Sequence, residues 1–201
     1  MKVTCLSAIL YLALTTGAAF SNASAQAKAP EPAAATPSAE SAAQNYFTDT
    51  VLVNQNGENV RFYSDLLKKR TVVINTFFTE CQGVCPLLSR NMQAIQGWLG
   101  DRLNRDVLLI SISVDPVTDT PARIKAYAER FHAQPGWLFL TGKKENVDLV
   151  LHKLGQIVER RDDHGTIFII GNDRTHLWKK ALGTTKAEDL MPVVASVADD
   201  K

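Results

Sequence analysis

Eight consecutive residues, Thr71 to Phe78 (TVVINTFF), are all β-branched or aromatic apart from Asn75, and two cysteines follow closely as Cys81-x-x-x-Cys85-Pro86. A run without polar alternation cannot leave one face in water, so it predicts a strand buried on both faces inside a sheet. Pro86 suits the first turn of a helix, where its missing N–H costs nothing, and Met92, Ile95 and Leu99 continue one apolar face. Any fold for this chain must therefore carry two sulfurs from the end of an interior strand to the head of a helix.

The remaining pattern builds around that unit. Val51 to Val53, the turn residues Asn56-Gly57, and Val60 with Phe62 predict an N-terminal β-hairpin. Val107 to Val114 (VLLISISV) reads as a second buried strand. Thr120 caps a helix that Pro121 opens and that runs through Ile124, Tyr127 and Phe131. Trp137 to Leu140 predicts a short strand and Glu145 to Leu154 an amphipathic helix. Thr166 to Ile170 and Thr175 to Trp178 flank a turn at Gly171-Asn172-Asp173-Arg174, and Lys186 to Val197 closes the chain as a helix. Strands alternating with helices, then a late hairpin and a last helix, predict an α/β fold with a central mixed sheet flanked by helices. A cysteine pair between the first buried strand and the next helix makes this a thioredoxin-like fold.

The start of the chain reads as a targeting segment. Lys2 precedes an apolar run from Leu6 to Phe20, and Ala23-Ser24-Ala25 provides the small-x-small pattern of a cleavage site. Residues 1–25 are therefore expected to be a signal peptide, with Gln26 as the mature start and a bacterial periplasm as destination. An uncleaved inner-membrane anchor is the alternative. Residues 26–45, mostly Ala, Pro, Ser and Glu, predict a flexible linker that cannot bury enough surface to become ordered. The folded domain is expected over 46–201, its elements running from Tyr46 to about Val197. With 22 basic against 21 acidic residues, the chain exerts no general pull on nucleic acid or anionic lipid. Partners must be met through shape or a specific site, and the membrane only if the N-terminal segment is retained.

Of the three cysteines, Cys5 lies in the signal segment, which leaves Cys81 and Cys85 for the mature protein. In an exported chain such a pair could be a structural disulfide, a redox pair or a metal clamp. A bridge closing so short a loop constrains the unfolded chain little, which weighs against the structural role. Pro86 disfavours helical geometry at the residue before it, so Cys85 is expected to cap the helix, with Cys81 in the preceding loop. Free N–H groups at a helix start favour thiolate, the form that binds metal or attacks disulfides.

Soft thiolates select copper(I), zinc or iron–sulfur clusters, and imidazole suits copper and zinc. Four histidines are available. His132 ends a helix, His152 lies within one and His176 sits in the late hairpin, all ordinary surface positions. His164 instead precedes the strand Thr166 to Ile170, in the loop that faces the cysteine pair in a thioredoxin fold. Redox thioredoxins place a proline there; this chain has Asp163-His164-Gly165-Thr166. His164 is the favoured third ligand, with Asp162 or Asp163 a candidate to orient its ring.

These elements together resemble the Sco/SenC family over roughly Tyr46 to Val197. The likeness rests on Cys81-x-x-x-Cys85-Pro86 after a strand, on Ser113-Val114-Asp115-Pro116 with Asp119-Thr120-Pro121, and on Asp163-His164 before an apolar strand. The resemblance implies Cys81, Cys85 and His164 as ligands of copper(I) or copper(II). It further implies delivery of that copper to the dinuclear copper centre of cytochrome c oxidase subunit II or another copper-acceptor protein, or reduction of that centre's cysteines. Many family members read Cys-Pro-Asp-x-Cys, whereas this chain reads Cys-Gln-Gly-Val-Cys, with Glu80 just before as the nearest carboxylate. Asp115 and Asp119 are read as turn and capping residues rather than as part of the site. The competing function is a periplasmic thiol–disulfide oxidoreductase with Cys81 as nucleophile and Cys85 as resolver, which needs no histidine. A thiol peroxidase fits less well, because Phe78 stands where its threonine would be.

Overall fold

The computed structural model describes residues 39–201. In chain order its elements are α1 (Ala39–Phe47), β1 (Val51–Asn54), β2 (Asn59–Arg61), a π-helical turn (Phe62–Leu67), β3 (Thr71–Phe77), α2 (Cys85–Leu99), β4 (Val107–Ser113), α3 (Pro121–Arg130), β5 (Trp137–Thr141), α4 (Lys144–Leu154), β6 (Ile167–Asn172), β7 (Leu177–Leu182) and α5 (Ala187–Ala198). Single 3-10 turns lie at Gly100–Arg102 and Arg161–Asp163.

All seven strands share one sheet in the order β2-β1-β5-β4-β3-β6-β7. β3 and β5 flank β4 in parallel, whereas β6 pairs with β3 antiparallel, so the sheet is mixed. Both faces are covered because successive side chains of β3 and β4 point to opposite sides. Val73, Phe77, Val107 and Leu109 pack beneath α2, α3 and α5, with Leu88, Met92, Tyr127 and Val194. Val72, Ile74, Leu108, Ile110 and Ile112 pack on the other side with Leu52, Phe62, Leu66, Val147 and Leu151. Each fully buried aliphatic or aromatic side chain contributes about 1.5–3 kcal/mol of burial free energy, which explains why these strands carry no polar alternation. This is the thioredoxin-like architecture, with the N-terminal hairpin β1–β2 extending the sheet beyond β5.

Two boundaries differ from expectation. The expected signal segment and residues 26–38 of the expected linker lie outside the described residues, but the last part of that linker is helix α1. Its Ala-Glu-Ser-Ala-Ala-Gln composition lacks core-forming side chains yet has high helix propensity. Tyr46 and Phe47 then supply the anchor: the Phe47 ring lies 5.0 Å from Trp178, and the Tyr46 hydroxyl donates to the Lys153 carbonyl at 3.0 Å.

The late hairpin also turns two residues later than the glycine suggests. Gly171 lies inside β6, opposite Trp178, and a Cβ there would stand 2.2 Å from the indole. The glycine is required by the close approach of the ring rather than by a turn. Asp173 does lie in the turn, and it is buried there, its carboxylate accepting the Lys69 N–H at 2.8 Å. Among the described residues no helix is long and apolar enough to cross a membrane.

Candidate metal centre

β3 and β4 run parallel, so the loops that leave them emerge at the same edge of the sheet. β6 is antiparallel to β3, and the loop entering it arrives at that edge too. Three distant segments therefore converge there: the cysteine loop, the loop Val114–Thr120, and the segment leading to His164.

Cys81 and Cys85 are joined as a disulfide, their Cα atoms 5.9 Å apart. Cys85 is fully buried at the head of α2, whereas Cys81 is half-buried beside Val84 in the loop. The helix begins at Cys85 itself, with Val84 as the capping residue in helical geometry and Pro86 in the first turn. The cap thus lies one residue earlier than Pro86 alone suggests, because the Val84 carbonyl accepts the Leu87 and Leu88 N–H groups at 2.9 and 3.1 Å. The Cys85 N–H, free at the helix start, donates to Cys81 Sγ at 3.4 Å. Such a donor stabilises negative charge on that sulfur once the pair is reduced.

His164 is only 7% exposed. Its Nε2 lies 3.1 Å from Cys85 Sγ and 3.9 Å from Cys81 Sγ. On the other side of the ring Nδ1–H donates to the Gly165 carbonyl at 3.2 Å, which leaves the Nε2 lone pair directed at the sulfurs. The same carbonyl accepts the hydroxyl of Thr76 from β3 at 3.3 Å, tying the histidine loop to the strand that leads to the cysteines. Phe78 meets the imidazole edge-on at 5.6 Å. Burial lowers the His164 pKa, and its bond to the Gly165 carbonyl and the nearby Asp162 only partly offset that, so the ring is held neutral and able to donate its lone pair.

One donor atom from each of Cys81, Cys85 and His164 lies within 4.8 Å of the others, the one such group among the described residues. Two sulfurs and an imidazole nitrogen form a soft donor set that fits copper(I) without further ligands, whereas structural zinc takes four. A cleft of about 400 Å³, lined by Phe78, Glu80, Cys81, Val84, Arg161 and His164 among others, opens the group to solvent. His132, His152 and His176 are exposed and stand outside the group.

The supports are not those expected. Asp162 and Asp163 do not orient the ring; both face Arg160, at 4.0 and 3.9 Å, and the backbone carbonyl of Gly165 takes the role instead. Asp119, read as part of a capping segment, is 1% exposed and grips the cysteine loop. It accepts the Thr79 N–H at 3.2 Å, the Thr79 hydroxyl at 2.5 Å and the Ser113 hydroxyl at 2.6 Å. Capping of α3 falls to Thr120 alone, as expected, through the Arg123 N–H at 3.4 Å. Asp115 accepts Arg161 Nη1 at 2.5 Å, and Glu80 accepts Arg123 at 2.8 Å with Arg161 at 3.3 Å. The signal for these roles was available: a loop leaving a strand parallel to β3 must sit beside the cysteines.

The chain is similar to a SCO2-like protein of Rickettsia conorii, 36% identical over 105 residues that make up 52% of this chain and 49% of that one. It thus spans about half the length of the curated relative it matches. Among solved structures, a SCO1/SenC family lipoprotein from Bacillus anthracis is 29% identical with a TM-score of 0.63, covering 74% of this chain and 92% of that one. The copper-bound ScoI of Bradyrhizobium japonicum is 25% identical with a TM-score of 0.60, covering 73% and 96%. The model of the SCO1/SenC family matches residues 38–199, nearly all of what the structure describes, and the chain belongs to that family.

Proposed function

We propose that the protein is an exported copper carrier. It takes the ion on Cys81, Cys85 and His164 and passes it to the dinuclear copper centre of cytochrome c oxidase subunit II or another copper-acceptor protein. The observation that carries this reading is the direction of one ring nitrogen: Nε2 of His164 faces both sulfurs while Nδ1–H is occupied by Gly165. An imidazole placed only for packing has no need of that tautomer. Copper in the related ScoI, and membership of the SCO1/SenC family, support the same cargo.

Copper is the cargo, and the chain's own residues set the terms of loading. The disulfide must first take two electrons and two protons from a dithiol reductant, giving two thiols that lose their protons on coordination. The Cys85 N–H at Cys81 Sγ and the start of α2 favour that loss. The cleft on the Cys81 side gives an acceptor's ligands a route for stepwise exchange. Residues 1–25 would direct the protein to the periplasm, where such transfer takes place.

The test is a titration of the reduced protein with copper(I) against a chelator, comparing wild type with His164→Ala and Cys81→Ser. His164→Ala should weaken binding by about tenfold or more, the scale on which ligand-shell changes act, and remove the nitrogen signature of the copper(II) complex. No change in either quantity ends the carrier reading.

A second reading has its own support. Cys81 borders the cleft whereas Cys85 is fully buried, the asymmetry of an attacking and a resolving thiol. As a reductase, Cys81 thiolate attacks a partner disulfide and releases one partner thiolate. Cys85 thiolate then attacks Cys81 in the mixed disulfide, releases the second, and restores the observed bridge. That activity would survive His164→Ala.

A further inference from the structure

The segment carrying His164 is held to the rest of the fold by few bonds. Among the described hydrogen bonds and ion pairs, residues 157–164 reach beyond their own segment only through the ring of His164 and the guanidinium of Arg161, apart from its neighbour Gly165. Arg161 opens the 3-10 turn that ends at His164, whose N–H donates back to the Arg161 carbonyl at 3.3 Å. Its Nη1 lies 2.5 Å from Asp115 and 3.3 Å from Glu80, so it joins the loop after β4 to the residue before Cys81. The guanidinium also lies 5.2 Å over the ring of Phe78, the aromatic that His164 meets edge-on.

We propose that Arg161 is the positioning residue that holds His164 against the two cysteines, by clamping its turn between Asp115, Glu80 and Phe78. This rests on the copper-site reading above. Glu80 serves the clamp rather than the ion: its charge is already shared between Arg123 and Arg161. The clamp is strong in geometry but open to water, with the Arg161 side chain 40% exposed, Glu80 45% and Asp115 15%. Such pairs are worth little each and are screened by salt, so the clamp biases the histidine loop without locking it. An acidic surface on an acceptor could take Arg161 from its partners and loosen the third ligand at the moment of transfer.

The experiment is a double-mutant cycle on the reduced full-length mature protein, with copper(I) affinity read by chelator competition at low and high salt. Arg161→Ala should weaken affinity roughly three- to tenfold at low salt, the scale of one or two half-exposed ion pairs, and the gap should narrow at high salt. His164→Ala should cost more, and adding Arg161→Ala to it should change nothing further, because the arginine acts only through the ring. The copper(II) nitrogen signature should broaden in Arg161→Ala while thermal stability moves little. If His164→Ala weakens binding but Arg161→Ala does not, or if Arg161→Ala costs as much with His164 absent, the positioning role is wrong and the copper site stands. If His164→Ala itself has no effect, the copper-site reading falls and the clamp with it. Should Arg161→Ala fail to fold, Arg161→Gln, which keeps the stem over Phe78, is read on the same scale.

Discussion

Replacing Asp119 tests how the cysteine loop is held. Its carboxylate is buried and accepts the Thr79 N–H and hydroxyl together with the Ser113 hydroxyl. Ser113 in turn accepts the Asp115 N–H at 3.0 Å, so one carboxylate organises both loops at this edge. Asp119→Ala leaves three donors without a partner, the Ser113 hydroxyl fully buried and the N–H and hydroxyl of Thr79 half-buried. At about 1–3 kcal/mol per orphaned group, less what relaxation and water recover, the loss should be about 3–5 kcal/mol. Asp119→Asn is milder. Its oxygen can still serve Thr79 while its amide donates to Ser113, leaving one hydroxyl hydrogen unpaired and a cost of about 1–2 kcal/mol. Urea unfolding of the oxidised protein, followed by tryptophan fluorescence, should show the midpoint fall by about 1–2 M for alanine and less than half that for asparagine, with an unchanged slope. Equal midpoints for the two variants would refute this account, since the amide would then recover none of these bonds, and so would an alanine cost below about 1 kcal/mol, which would mean that water already serves the donors.

Three further outcomes follow from the structure. Gly171→Ala should destabilise by about 1–3 kcal/mol or more, because the new methyl meets the Trp178 indole, and a smaller partner at 178 should recover much of that loss in a thermal melt. Asp115 is pushed up by burial but held below the usual carboxylate range by Arg161 and Thr118. Its contribution is therefore present above that range and lost as pH falls from there through its own lowered value, and Asp115→Asn should flatten the acid limb of an unfolding curve. Phe47→Ala should cost about 1–3 kcal/mol, since the ring is only partly buried. It should also change Trp178 emission and open the 39–47 backbone to protease ahead of the core.

The parts of the fold that could be read from the chain are those where one residue type has one physical use. TVVINTFF and VLLISIS have no face to show water, and they form β3 and β4 within a residue of the expected limits. Thr120-Pro121 opens α3 as capping chemistry requires. The place of His164 beside the cysteines could be expected because topology, not local sequence, sends its loop to that edge. What was missed depends on contacts made far along the chain. Ala39–Phe47 is weak as an isolated helix and forms because Phe47 finds Trp178 and Phe62. Gly171 reads as a turn signal until the indole opposite it is known. Asp119 and Asp115 satisfy local turn rules equally well, and only the parallel pairing of β3 with β4 brings them to Thr79 and Arg161.

The antiparallel ladder between β3 and β6 has a consequence for how this centre can vary. The cysteines leave one strand and the histidine enters its immediate neighbour, with Thr76 bound to Gly165 across the gap. The ladder thus brings the cysteine loop and the histidine loop to one edge, and local contacts then set the donor spacing. Deleting a single residue inside β6 would slip that pairing by one and carry the histidine loop out of step with the cysteine edge.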